Sequence, residues 1–136
     1  MLLDNDPVKI TELFRLFFED IFSHEHLKKG FENIDKVIEI VYKSPDMKFV
    51  IDCNKGNARF IPDADGEFKP DVTIKMDWST AHKFWMGDLD PITALFSQRI
   101  TISGDAAALL DLKPMFRETS AIYKNVFNRE FGDLNS

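Results

Sequence analysis

"DPITALFSQRITISGD", residues 90–105, holds a helix start, a strand and a second helix start in one short run. Asp90 and Pro91 read as N-cap and first helical residue, where proline lacks only an N–H that would be orphaned anyway. Arg99-Ile100-Thr101-Ile102-Ser103 then alternates polar and apolar, as a half-buried strand does. Gly104-Asp105 stops that strand and caps the next helix. The run contains no nucleophile–base pair and no metal-ligand spacing. Its apolar surface must therefore serve packing or a ligand.

Downstream, Ala106 to Leu112 reads as helical, and Pro114 begins a long helix that runs to Phe131. Met115, Phe116, Thr119, Ile122, Tyr123, Val126 and Phe127 share one face of it. So extensive an apolar face has to be covered, because large exposed patches are rare on monomers. It closes a cavity mouth as a lid, packs on a second subunit, or meets the first helix at one end of the sheet.

Upstream, Asp6-Pro7 opens a helix whose Ile10, Leu13, Phe14, Phe17, Phe18 and Ile21 fall on one face. Ser23 is placed to cap a second, short helix that Gly30 ends. Val37 to Tyr42, Met47 to Cys53, Ala58 to Ile61 and Asp71 to Met76 then read as strands. Ser44-Pro45-Asp46 and Asn54-Lys55-Gly56 supply the turns, and Pro62 to Pro70 is a polar loop. Asp77 can cap a helix from Trp78 to Met86, with Gly87 as its C′ residue. This order predicts an α+β domain: a five-stranded, mostly antiparallel sheet covered by helices on one face.

A chain of 136 residues is read as one domain over 1–136, burying roughly 68% of its unfolded surface. Its net charge of −6 disfavours nucleic acid and leaves no polybasic patch for an anionic membrane. The lone Cys53 cannot form an internal disulfide and fits a buried thiol. No stretch has the ~18 apolar residues of a membrane helix, and the N-terminus lacks a basic signal-peptide region, so a cytoplasmic location is expected.

Few residues carry chemistry. "DADGE", residues 63–67, fails as a calcium loop, since Ile61 and Val72 would occupy the positions that need carboxylates. His24 and His26 are two apart, a spacing that does not share a helix face. His82 stands without a Ser or Cys elbow and reads as a helix-surface histidine. No Gly-rich phosphate loop is found, and neither a cofactor nor a metal is expected. What remains is an apolar set: Phe84, Trp85, Leu89, Ile92, Leu95, Phe96, Leu109, Leu112, Met115 and Phe116. Together they exceed what three short helices need for packing on five strands. Ligand pockets are mostly apolar with few polar groups.

The run "PDVTIKMDWSTAHKFWMGDLDPITALFSQRITISGDAAALLDL", residues 70–112, resembles the type-2 sterol carrier protein domain family. The matching pieces, in order, are Asp71 to Ile74, Gly87, Leu89-Asp90-Pro91, Ala94-Leu95-Phe96, Arg99 to Gly104 and Asp105 to Leu112. "FVIDCNKGNARFIPD", residues 49–63, is similar to the family's central hairpin. The resemblance covers residues 34–112, with the helices at 7–30 and 114–131 outside it. Gln98 stands where the family often has Gly.

The resemblance implies a five-stranded sheet whose helices enclose a hydrophobic tunnel. Fatty acids, acyl-CoA or sterols would bind there without catalysis, and the ten apolar residues would line the site. The partner would be a lipid or other hydrophobic small molecule, with transient membrane contact and a homodimer both allowed. The alternative is an interaction or dimerisation module whose cavity its own side chains fill. A third reading is a small hydrolase using His82.

Overall fold

Asp6 accepts the Val8 N–H at 2.9 Å and starts α1 (Pro7–Ser23), as the Asp-Pro pair predicts. Ile10, Leu13, Phe14, Phe17, Phe18 and Ile21 are all fully buried, so the period read from the sequence is the packed face. The computed structural model describes residues 2–54, 56–62, 66 and 68–132, the side chains of 2, 91, 92 and 95 excepted. Lys55 of the hairpin turn and most of the DADGE run lie outside the described residues.

The second helix differs from expectation at both ends. Ser23 is the last residue of α1, and its Oγ donates to the Asp20 carbonyl at 2.6 Å. His24 caps α2 (Glu25–Glu32) instead. Gly30 does not end α2 but lies within it, with the Met115 sulfur so close that a Cβ there would require that side chain to shift. Close approach, not a stop, is what the glycine provides.

The strands are β1 (Val37–Lys43), β2 (Met47–Asn54), β3 (Asn57–Ile61), β4 (Val72–Asp77) and β5 (Ile100–Gly104), in the order β3-β2-β1-β4-β5. β1 and β4 are parallel, and the other pairings are antiparallel. Parallel neighbours need a crossover; the β2–β3 hairpin and the loop to Pro70 provide it. Asp71 anchors one end of the sheet. Its carboxylate accepts the Val37 N–H at 2.8 Å, and its N–H donates to the Val37 carbonyl at 2.9 Å. Its own carbonyl accepts the Asp105 N–H at 2.8 Å, so one residue ties β1, β4 and the exit of β5 together.

On the inner face Ile38, Ile40 and Tyr42 of β1 stand beside Phe49, Ile51 and Cys53 of β2, all buried. α1 lies over them, and the space between is filled with rings. Phe14 has the rings of Phe49, Tyr42, Trp78, Tyr123, Phe17 and Trp85 around it at centroid distances of 5.2–6.2 Å. On the outer face Asp52 is buried although it is charged. Arg59, its cross-strand partner, donates to it at 2.9 Å, and the Phe68 ring stacks on that guanidinium 5.8 Å away. Pairing and a hydrogen bond from Asn54 N–H at 3.2 Å offset the desolvation that a lone buried carboxylate would suffer.

After β4 come α3 (Trp78–Trp85) and α4 (Pro91–Phe96), with Gly87 in the left-handed conformation its C′ position requires, φ 83. After β5 the expected helix is wound as a 3-10 segment, Ala106–Met115, with Pro114 inside it. The long helix α5 therefore begins at Phe116, not at Pro114, and runs to Phe131. Its apolar face is covered by the first helix, one of the three covers expected for it. Tyr123, Val126, Phe127 and Phe131 are buried within this chain, and the Tyr123 ring lies 5.2 Å from Phe17. α5 packs on α1 as part of the core.

Candidate functional site

The apolar set foreseen from sequence divides into groups. Trp85 belongs to the packed interior: its Nε1 donates to the Tyr42 hydroxyl at 3.0 Å, and Phe17 lies 5.1 Å from its ring. Phe96 points the other way and is 86% exposed, so it walls nothing. The reason is helical geometry. Ala94 is the buried contact of short α4, and a residue two positions on faces away from it. The side chains of Ile92 and Leu95 lie outside the described residues. The remaining six, Phe84, Leu89, Leu109, Leu112, Met115 and Phe116, are all half-buried.

The 3-10 winding brings three of these into line. With 3.0 residues per turn, positions i, i+3 and i+6 eclipse one another. Leu109, Leu112 and Met115 therefore form one row, about 12 Å long at ~2 Å rise per residue. Each packs on the core while keeping part of its surface open, whereas Leu110, off the row, is 69% exposed. Phe84 and Phe116 pair across α3 and α5 at 5.1 Å.

One pair on the sheet is also incompletely covered. β4 is flanked by strands on both sides, yet Ile74 on its inner face is only half-buried, as is its partner Ile102 on β5. Ile40, its partner on β1, is 3% exposed. The β1–β2 half of the inner face is thus closed, and Val72, Met76 and Ile100 are buried on the β4–β5 half, so the half-covered apolar surface is the Ile74–Ile102 pair and the 3-10 row. Two surface depressions, of about 420 and about 350 Å³, lie elsewhere, and none of the ten residues lines them.

His82 sits between α3 and α5, not on the surface. Its Nδ1 is 2.9 Å from the Tyr123 hydroxyl and its ring 4.6 Å from Phe127. Burial pushes the imidazole below its usual 6.5, with the Asp88 charge opposing in part. The folded state therefore holds neutral His82, and the unfolded chain binds the extra proton. His82 favours folding fully above pH 6.5, and that contribution is lost as pH falls from 6.5 through the lower folded value. Denaturant titrations of wild type and His82→Gln should show a steeper acid loss for wild type below pH 6.5; parallel curves would remove His82 as the cause. Cys53 is inert by the same physics, its thiol pushed up to about 12 by burial and by neighbouring Asp52. Among the described residues no cluster of His, Cys, Asp and Glu could hold a metal, and no helix is long and apolar enough to cross a membrane.

Comparison with known proteins agrees with this architecture. The sterol carrier protein domain 2 of Helicoverpa armigera superposes with a TM-score of 0.65 at 20% identity, covering 83% of this chain and 87% of that one. A Thermus thermophilus protein described as possibly a sterol carrier protein gives 0.60 at 18%, covering 85% and 86%. Sterol carrier protein 2 of Yarrowia lipolytica, in its apo form, gives 0.58 at 10%, covering 88% of each chain. At such identities the likeness speaks for the fold. No curated protein matches the chain. The model of the SCP-2 sterol transfer family matches residues 18–117, from within α1 to the first turn of α5. With a match over that much of its length, the chain belongs to the SCP-2 sterol transfer family.

Proposed function

We propose that this protein binds a hydrophobic, lipid-class ligand in the cytoplasm and sequesters or transfers it without transforming it. The observation that carries this reading is incompletely covered apolar surface, on the Leu109–Leu112–Met115 row and on the Ile74–Ile102 pair. Burial of an acyl chain there gains ~0.8 kcal/mol per CH₂. Family membership supports the same reading, and relatives that bear the name sterol carrier protein lend their ligand class to it. The ring packing beneath α1 favours a ligand beside that cluster over one under α1.

The delipidated protein should bind a fluorescent fatty acid saturably, and unlabelled long-chain lipids should compete. Leu112→Asp should cut this affinity by about tenfold or more, since a charge in a lipid contact is left unpaired, while a half-buried position limits the stability loss. Absence of saturable binding across fatty acids, acyl-CoA and sterols would refute the proposal.

A second reading, an interaction or dimerisation module, draws on the filled interior and on the exposure of Phe96 and Leu110. Native mass spectrometry of gently purified protein separates the two: copurifying lipid on a monomer supports the carrier, and a ligand-free dimer supports the module.

A further inference from the structure

Lys43, Lys75 and Arg99 line one depression of about 350 Å³, together with Asp77, Thr80, Gln98 and Thr101. It lies where β1 and β4 end, β5 begins and the first turn of α3 starts. In the sheet register Lys43 is beside Asp77 and Lys75 beside Thr101, all on the outer face. The three cations are exposed, and none forms an ion pair among the described residues. A chain with a net charge of −6 thus gathers three positive groups and one carboxylate in a single concavity. The Thr80 and Thr101 hydroxyls and the Gln98 amide add neutral donors.

Gln98 adds an independent observation. Its φ of 62 is left-handed, a conformation that glycine takes without steric cost and glutamine does not. Glycine would suit the backbone better, and the similar family pattern often has it there. The side chain retained at that cost lines the depression.

We propose that this depression is a binding site for a phosphate group. The local excess of two positive charges suits a phosphate better than a carboxylate. The planar Arg99 fork flanked by two lysines supplies bidentate and point-charge recognition together. The depression is open and roomier than a lone phosphate, which leaves space for the rest of a soluble phosphate ester or of an anionic lipid headgroup. The depression shares no residue with the half-covered apolar surface, so it stands or falls apart from the lipid-carrier reading.

Backbone amide shifts of the isotope-labelled full chain, titrated with inorganic phosphate against chloride at constant ionic strength, read the site directly. Lys75, Thr80, Arg99 and Thr101 should shift along one saturable curve. Lys75→Gln and Arg99→Gln should each weaken it about fivefold. Asp77→Asn should tighten it, a gain that a folding defect cannot mimic; Asp77 makes no side-chain capping bond to α3 that the change would remove. Flotation with phosphatidylcholine vesicles, with and without phosphatidylglycerol, separates the sources. Capture that needs phosphatidylglycerol and is lost in the Lys75→Gln/Arg99→Gln double variant assigns the site to lipid headgroups. Saturable phosphate shifts without capture assign it to a soluble phosphate ester. Neither effect in wild type, or effects that survive the double variant, would overturn the proposal.

Discussion

Phe14→Ala should lower the free energy of unfolding by about 3–5 kcal/mol, the cost of emptying a packed aromatic site. Phe14 is fully buried, and the rings around it come from α1, β1, β2, α3 and α5. Those neighbours belong to different elements and cannot all collapse inward, so most of the removed volume stays as a cavity. A dry cavity lined by aromatics binds small apolar molecules. Benzene should therefore stabilise the variant by mass action and leave wild type unaffected. The measurement bears on function as well as stability. A loss below about 1.5 kcal/mol would mean that the space under α1 is already loosely filled. The ligand could then lie beneath α1, contrary to the placement beside the 3-10 row.

Much of this architecture is legible in the sequence because it rests on local rules. The face of α1 follows from apolar spacing, and its six predicted residues are all fully buried. Strand positions follow from alternation, and the α3 terminus from Gly87 at positive φ. What eludes a sequence reading depends on distant partners. Gly30 looks like a helix stop until Met115, far along the chain, is found against it. Asp52 looks like a surface carboxylate until Arg59 and Phe68 cover it. Alternation alone does not show that β4 lies parallel to β1.

The site was less legible than the fold, for a specific reason. Core and ligand wall use the same residue types, so composition cannot divide Trp85, which is packed, from Leu112, which is half-open. Helical periodicity alone also leaves the repeat open. At 3.6 residues per turn Leu109, Leu112 and Phe116 align, whereas the 3-10 repeat aligns Leu109, Leu112 and Met115, and the sequence set held all four. Pro114 is the available signal, since it lacks the N–H that an α-helical ladder would use there.

Gly104→Ala should cost about 3–6 kcal/mol, and the reason is an approach between backbones that no side chain can yield to. Gly104 has φ 89, and a Cβ built on it would strike the Asp71 carbonyl and come within 3.1 Å of the Val72 Cα. That same carbonyl accepts the Asp105 N–H at 2.8 Å, so relieving the clash would also strain the bond that ties β5 to β4. Left-handed backbone accounts for about 1–2 kcal/mol, overpacking for about 1–3 and the weakened hydrogen bond for about 1. Gly56 is the internal control: its φ is 75, but nothing stands within 4 Å of its Cβ position. Gly56→Ala should therefore cost only the backbone share, about 1–2 kcal/mol. The consequences for ligand binding follow from chain order, because β5 carries Ile102 and leads into the 3-10 row. A shift of β5 away from Asp71 would move Ile102 and the entry to the 3-10 row. Thermal melts and fatty-acid titrations of the two variants should show the Gly104 change lowering Tm by roughly 10–20 °C and weakening ligand binding, with the Gly56 change milder in the first and silent in the second. Equal losses in the two variants would mean that the Asp71–Gly104 approach does not hold that apolar surface in place.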